Sequence, residues 1–143
     1  VIKMSVSLKK VRLDSYQRNL GRLSMAVGKA AADVQGEASR SIAMNSGKYR
    51  EYYGRVEHPH WSSPPGTPPN SDSGILANSI MPQRVNATTY LVVVNAKYGV
   101  PLELGWMSKA GNHVPARPFL RPAVEYVAPS FQAAVKSILK GNN

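Results

Sequence analysis

Three groups of residues in this chain could do chemistry. In "EHPHW", Glu57, His58 and His60 lie close together, a set that would ligate a metal only if the loop held them in a fixed geometry. The competing reading is a pair of solvated loop histidines, and His113 stands alone. The remaining candidates for acid–base work are Glu51, Asp72, Glu103 and Glu125, and no spacing marks a pair among them. The glycine-rich phosphate loop, the zinc-binding helix, the serine elbow and the dinucleotide turn are all missing, and with no cysteine there is no thiolate chemistry. The expectation is therefore no enzyme, no catalytic residues, no metal and no cofactor.

The second group is basic. The chain carries 18 Lys and Arg against 8 Asp and Glu, a formal charge of +10, which points to an acidic partner. Lys9, Lys10, Arg12, Arg18, Arg22 and Lys29 crowd the first thirty positions with Lys3, opposed only by Asp14. They are candidates for contact with DNA phosphates or with acidic protein; a plain solvated helix face is the alternative. The third group is aromatic. Tyr49, Tyr52, Tyr53 and Trp61 interleave with Lys48, Arg50 and Arg55, a pattern that suits either stacking on single strands or anchoring a protein interface.

A length of 143 residues suits one domain, 1–143. Only 18% of the residues are charged, which leaves room for surface covered by partner chains. No stretch approaches the roughly 20 apolar residues of a membrane span, and the chain reads as soluble and cytoplasmic when made. Leu13, Tyr16, Leu20, Leu23, Val27, Ala30 and Val34 recur at steps of three and four, and Ala38 and Ile42 extend the seam. The spacing predicts one helix over 14–45, roughly 45 Å long and so longer than a small domain. Gly21 and Gly28 inside it either admit a close neighbour or are simply tolerated.

Residues 47–73, with "WSSPPGTPPNSDSG", read as a long Pro-rich loop or arm. A short helix capped by Asp72 or Ser73 follows, and then a hairpin of 79–85 and 88–95 turning at Asn86 and Ala87. "YGVPLELG" reads as a helical turn or an edge strand, and "MSKAGNH" as a surface loop. In "VPARPFLRPAVE", Pro118 suits the first turn of a C-terminal helix, whose apolar face runs through Phe119, Leu120, Ala123, Val127 and Phe131. Pro129 is expected to kink it near Glu125. Arg117 and Arg121 emerge at its start, where they oppose the helix dipole, so an anionic partner is the expected compensation, either carboxylates across a subunit interface or Glu103 and Glu125 of the same chain.

Three stretches in order, "SSPPGTPPNSDSGILANSI", "YGVPLELG" and "PARPFLRPAVE", resemble the small tail-component, tail-completion and head–tail joining proteins of tailed bacteriophages. The matching residues are Pro65, Gly66, Pro68 and Pro69, then Ser73, Gly74 and Leu76, then Glu103 and Gly105; Trp106 stands where that family has threonine. The resemblance implies an α+β subunit in which a long N-terminal helix and a C-terminal helix pack on a small antiparallel β-sheet, with the Pro-rich arm clasping a neighbour. It further implies a structural virion protein of the neck or tail, a ring of copies with six-fold symmetry among other neck and tail proteins, with DNA passing through the channel. The expected inter-subunit residues are Tyr49, Tyr52, Tyr53, Trp61, Pro65, Pro68, Trp106, Arg117, Phe119 and Arg121. A freestanding basic nucleic-acid-binding module is the alternative.

Overall fold

The computed structural model describes residues 2–7, 13–52 and 60–141. Its elements run β1 (Ile2–Ser7), α1 (Leu13–Met44), β2 (Arg50–Tyr52), β3 (His60–Ser62), α2 (Ile75–Asn78), β4 (Ile80–Asn86), β5 (Thr89–Val94), α3 (Gly99–Leu104), β6 (Trp106–Met107), β7 (His113–Val114) and α4 (Leu120–Lys140). Sequence periodicity found α1 to within one residue at each end. Leu23, Val27, Ala30, Val34, Ala38 and Ile42 form its buried seam as expected, whereas Leu20 is partly exposed.

The main sheet has the order β1-β5-β4 and is antiparallel throughout. Its first strand is "IKMSVS", a strict apolar–polar alternation that marks a strand with one face on a core. Directly opposed residues share a face, so Ile2, Val94 and Ile80 align in one row and Met4, Val92 and Pro82 in the next. These rows face α1: Ile80, Val92 and Val94 join Ala30, Ala31, Val34, Ala38 and Ile42 in the core, and Phe119, Leu120, Ala123 and Val127 of α4 complete it. Pro82 is tolerated because β4 is an edge strand. The hairpin turns at Ala87 and Thr88, where the Asn86 Oδ1 accepts the Thr88 N–H at 2.9 Å. Gly28 does admit a close neighbour, and that neighbour lies within the chain: a Cβ there would sit 3.1 Å from the Tyr90 hydroxyl. Among the described residues nothing lies within 4 Å of a Cβ placed at Gly21.

The expected architecture, two long helices on one sheet with a projecting arm, needs correction. Beside the three-stranded sheet there are two two-stranded ribbons, β2-β3 and β6-β7, and four helices are described. Of "MSKAGNH", Met107 and His113 belong to the strands of the second ribbon, and 108–112 are the surface turn between them, as expected. The Pro-rich stretch from Trp61 to Ser73 is no arm, because it is bonded along the body. Asn70 Nδ2 donates to Gly47 O at 2.7 Å and to Trp61 O at 2.8 Å, and Asn45 Nδ2 donates to Pro68 O. The Gly66 N–H reaches Ala116 O at 2.9 Å. Pro64 to Thr67 makes a tight turn closed by Thr67 N–H on Pro64 O, and Gly66 takes the positive φ that such a turn requires. Proline-rich sequence reads as extended chain, but its carbonyls are free to accept: Asn45 bonds Pro68 O, and Asn70 from within the stretch bonds Gly47 O and Trp61 O.

α4 also starts differently from expectation. Pro118 lies before the helix, Phe119 is its N-cap without a side-chain cap of its own, and Pro122 falls in the first turn. The helix continues through Pro129 to Lys140. Glu125 and Pro129 are both exposed, so water can serve the carbonyl that loses its partner. No helix among the described residues is long and apolar enough to cross a membrane.

Candidate interaction site

Arg117 decides the geometry of the region where the three quoted stretches meet. Its backbone N–H donates to Leu102 O at 2.7 Å, tying it to α3. Its Nε donates to Ser63 O at 2.9 Å and its Nη1 to Pro115 O at 3.3 Å. The side chain is only 5% exposed and has no carboxylate within ion-pair distance among the described residues. The expected inter-subunit role for Arg117 is therefore corrected: the guanidinium turns inward and holds the Pro-rich stretch. Phe119 is corrected likewise, since it is fully buried in the core.

The dipole conflict at the start of α4 is relieved within the chain. Glu103 accepts the N–H groups of Phe119 (2.9 Å) and Leu120 (3.0 Å) on Oε2 and that of Arg121 (2.9 Å) on Oε1. A carboxylate from α3 thus caps a helix sixteen residues downstream, both by hydrogen bonding and by charge. Gly105 permits the close approach: its φ is +77, and a Cβ would lie 2.8 Å from Val114 O. Arg121 is exposed and pairs with Glu125 at 3.0 Å.

Around Arg117 opens a cleft of about 480 Å³. α1 contributes Ile42, the Pro-rich stretch Ser63, Pro69 and Asn70, α2 Ile75 and Leu76, α3 Leu102, and the ribbon Trp106. Two polar atoms of these residues are buried without a partner, Ser63 Oγ and Asn70 Oδ1. Ile75, Tyr98, Leu104, Trp106 and Met107 are exposed apolar side chains, of which Ile75, Tyr98 and Trp106 line the cleft.

The other expected site residues are scattered. Tyr49 is exposed, Trp61 is half-buried with Lys48 Nζ 5.6 Å from its ring centre, Pro65 is exposed and Pro68 is half-buried. Tyr52 lies in β2, and Tyr53 falls outside the described residues, as do Lys9, Lys10, Arg12, Glu57 and His58. Arg18, Arg22 and Lys29 are exposed on α1, and Lys29 pairs with Asp33. On the same helix the Arg40 guanidinium is raised above its ordinary value, first by its hydrogen bonds to Glu37 and then by that carboxylate's charge. No group of three metal-ligating side chains occurs among the described residues.

Sequence reasoning missed Ser63, Asn70 and the capping role of Glu103. No periodicity links them to Arg117, and only the tertiary fold brings them together.

No family model, curated protein or solved structure matches the chain. The expected tie to known virion, neck and tail-completion proteins is thus not found, and the likeness stays with the three stretches themselves.

Proposed function

We propose that this chain is a structural subunit that completes its surface by assembling with other copies and with unlike neighbours. The observation that carries this reading is the outer face of the main sheet. There Lys3 and Ser5, Val93 and Leu91, and Met81 and Gln83 stand in register, opposite the face that packs on α1; Val93 in the central strand is buried and Leu91 half-buried, so the exposed apolar side chains are those of β4. Met81 and Val85 of the edge strand β4 are 56% and 55% exposed, and every residue of β4 except Ile80 is exposed. Pro82, the exposed Arg84 and the register shift between Arg84 and Asn86 blunt the backbone edge of β4 against strand addition, so the exposed Met81 and Val85 side chains are the apolar surface that a partner would cover.

The resemblance of the three quoted stretches carries the more specific reading, a subunit of a ring in the neck or tail of a tailed phage, mechanical in action. Imaging of particles assembled with and without the chain tests it. The expected defect is unjoined heads and tails, or tails with a faulty upper end; intact infectious particles would refute it. Duplex DNA binding by the isolated chain that disappears from low to moderate salt would favour the nucleic-acid-binding alternative instead.

A further inference from the structure

We propose that the free edge of β1 receives an extended segment of an unlike partner protein, with alternating apolar and acidic residues, as a fourth strand of the main sheet. The inference rests on the assembly reading and names the chemistry of the unlike neighbour. The sheet ends in two edges of different kinds. On β4, Pro82, Arg84 and the register shift between Arg84 and Asn86 stand against a further strand. β1 has none of these devices: "IKMSVS" holds no proline or glycine and pairs with β5 in unbroken register from Ile2 to Ser7. Among the described residues no strand pairs with its other side. The backbone N–H and C=O groups along that side are matched best by the backbone of another strand.

The side chains on the two faces narrow the class of strand. Beside β1 lies a groove of about 180 Å³, lined by Ser5, by Ala30 and Val34 of α1 and by Val124, Ala128 and Phe131 of α4. All of these but Ser5 are apolar, so every second residue of the added strand, on the face of Ile2 and Met4, meets apolar surface. On the opposite face Lys3 is exposed and makes no ion pair among the described residues. A carboxylate on the neighbouring strand is its complement. Neither "IKMSVS" nor the other two strands of the sheet, "IMPQRVN" and "TYLVVV", carries one, so copies of them do not supply it. The match comes from a different protein.

The test titrates the full chain with a fluorescein-labelled, capped hexapeptide of alternating valine and glutamate, read by anisotropy. The same peptide with every backbone nitrogen methylated should bind at least about tenfold more weakly, because it has no N–H to donate. Lys3→Glu should weaken the unmethylated peptide about threefold without changing Tm, since Lys3 is exposed. Lys109→Glu, the same charge change in the turn between β6 and β7, should leave binding as it is. On saturation, amide exchange should slow along β1 and stay unchanged along β4.

Equal affinity for the methylated and unmethylated peptides overturns the proposal, as does protection that appears on β4 instead of β1. Equal losses from Lys3→Glu and Lys109→Glu overturn it too, because they place the binding on the general basic surface. A capped IKMSVS peptide that binds as tightly as the glutamate peptide overturns the acidic partner in favour of a second copy of this chain. Sedimentation of the same samples separates the two readings. A multimer that binds no peptide removes the strand proposal alone, and a monomer that binds the glutamate peptide removes the self-assembly reading alone.

Discussion

The Arg117 corner and the outer face of the β1-β5-β4 sheet use their residues in opposite ways. At the corner, charged and aromatic side chains of the kind found at interfaces are turned inward: Arg117 bonds two carbonyls, Glu103 caps α4 and Phe119 is buried. On the sheet, Met81 and Val85, side chains of the kind found in cores, stand in solvent. Residue type alone would assign the two regions the other way round. The difference teaches that the apolar surface left exposed is set by which residues the register leaves over after α1 has been covered, and that Arg117 serves to hold the fold.

Substitutions can break or sharpen that contrast, and the largest effects belong to the corner. Phe119→Ala should destabilise the chain by about 4 kcal/mol, read as a fall in the urea midpoint, because it empties a core position. Glu103→Ala should cost about 3 kcal/mol by leaving three N–H groups at the head of α4 without their charged acceptor, and Glu103→Gln should cost less. Gly105→Ala should cost about 2 kcal/mol or more in thermal unfolding, since φ +77 with ψ 168 is a glycine conformation and the new methyl meets Val114 O.

The sheet face should answer differently. Met81→Lys should change stability by no more than about 0.5 kcal/mol while reducing self-association, a split that would mark the face as working between chains. Smallest of all is Arg121→Ala. Its ion pair with Glu125 is largely exposed, so unfolding should shift by no more than about 0.5 kcal/mol. A large loss there would move Arg121 back toward the role that sequence spacing suggests for it.

The parts of the fold that were legible are those where periodicity reports burial. The three-and-four seam of α1 outlined a helix of nearly the observed length, and the β-rich runs around Asn86 outlined the β4-β5 hairpin with its turn one residue early. The alternation in "IKMSVS" is too short to name its partner, because β1 pairs with β5 more than eighty residues later. The Pro-rich segment was misread because proline density measures backbone stiffness, and nothing local reveals that Asn45 and Asn70 pin its carbonyls. Arg117 and Arg121 share a helical spacing, yet Arg117 precedes the helix, so the spacing carries no common face. The cleft was least legible of all. Its walls come from 42, 60–77, 98–106 and 117, and only tertiary packing brings these together.

Sedimentation velocity on the wild-type chain beside the double variant Met81→Lys, Val85→Lys tests the central claim most directly. A wild type that forms a defined multimer, with a variant that sediments as a single chain and melts at the same temperature, is the predicted result. A wild type that stays a single chain up to millimolar concentration, or a variant that assembles just as well, would contradict it.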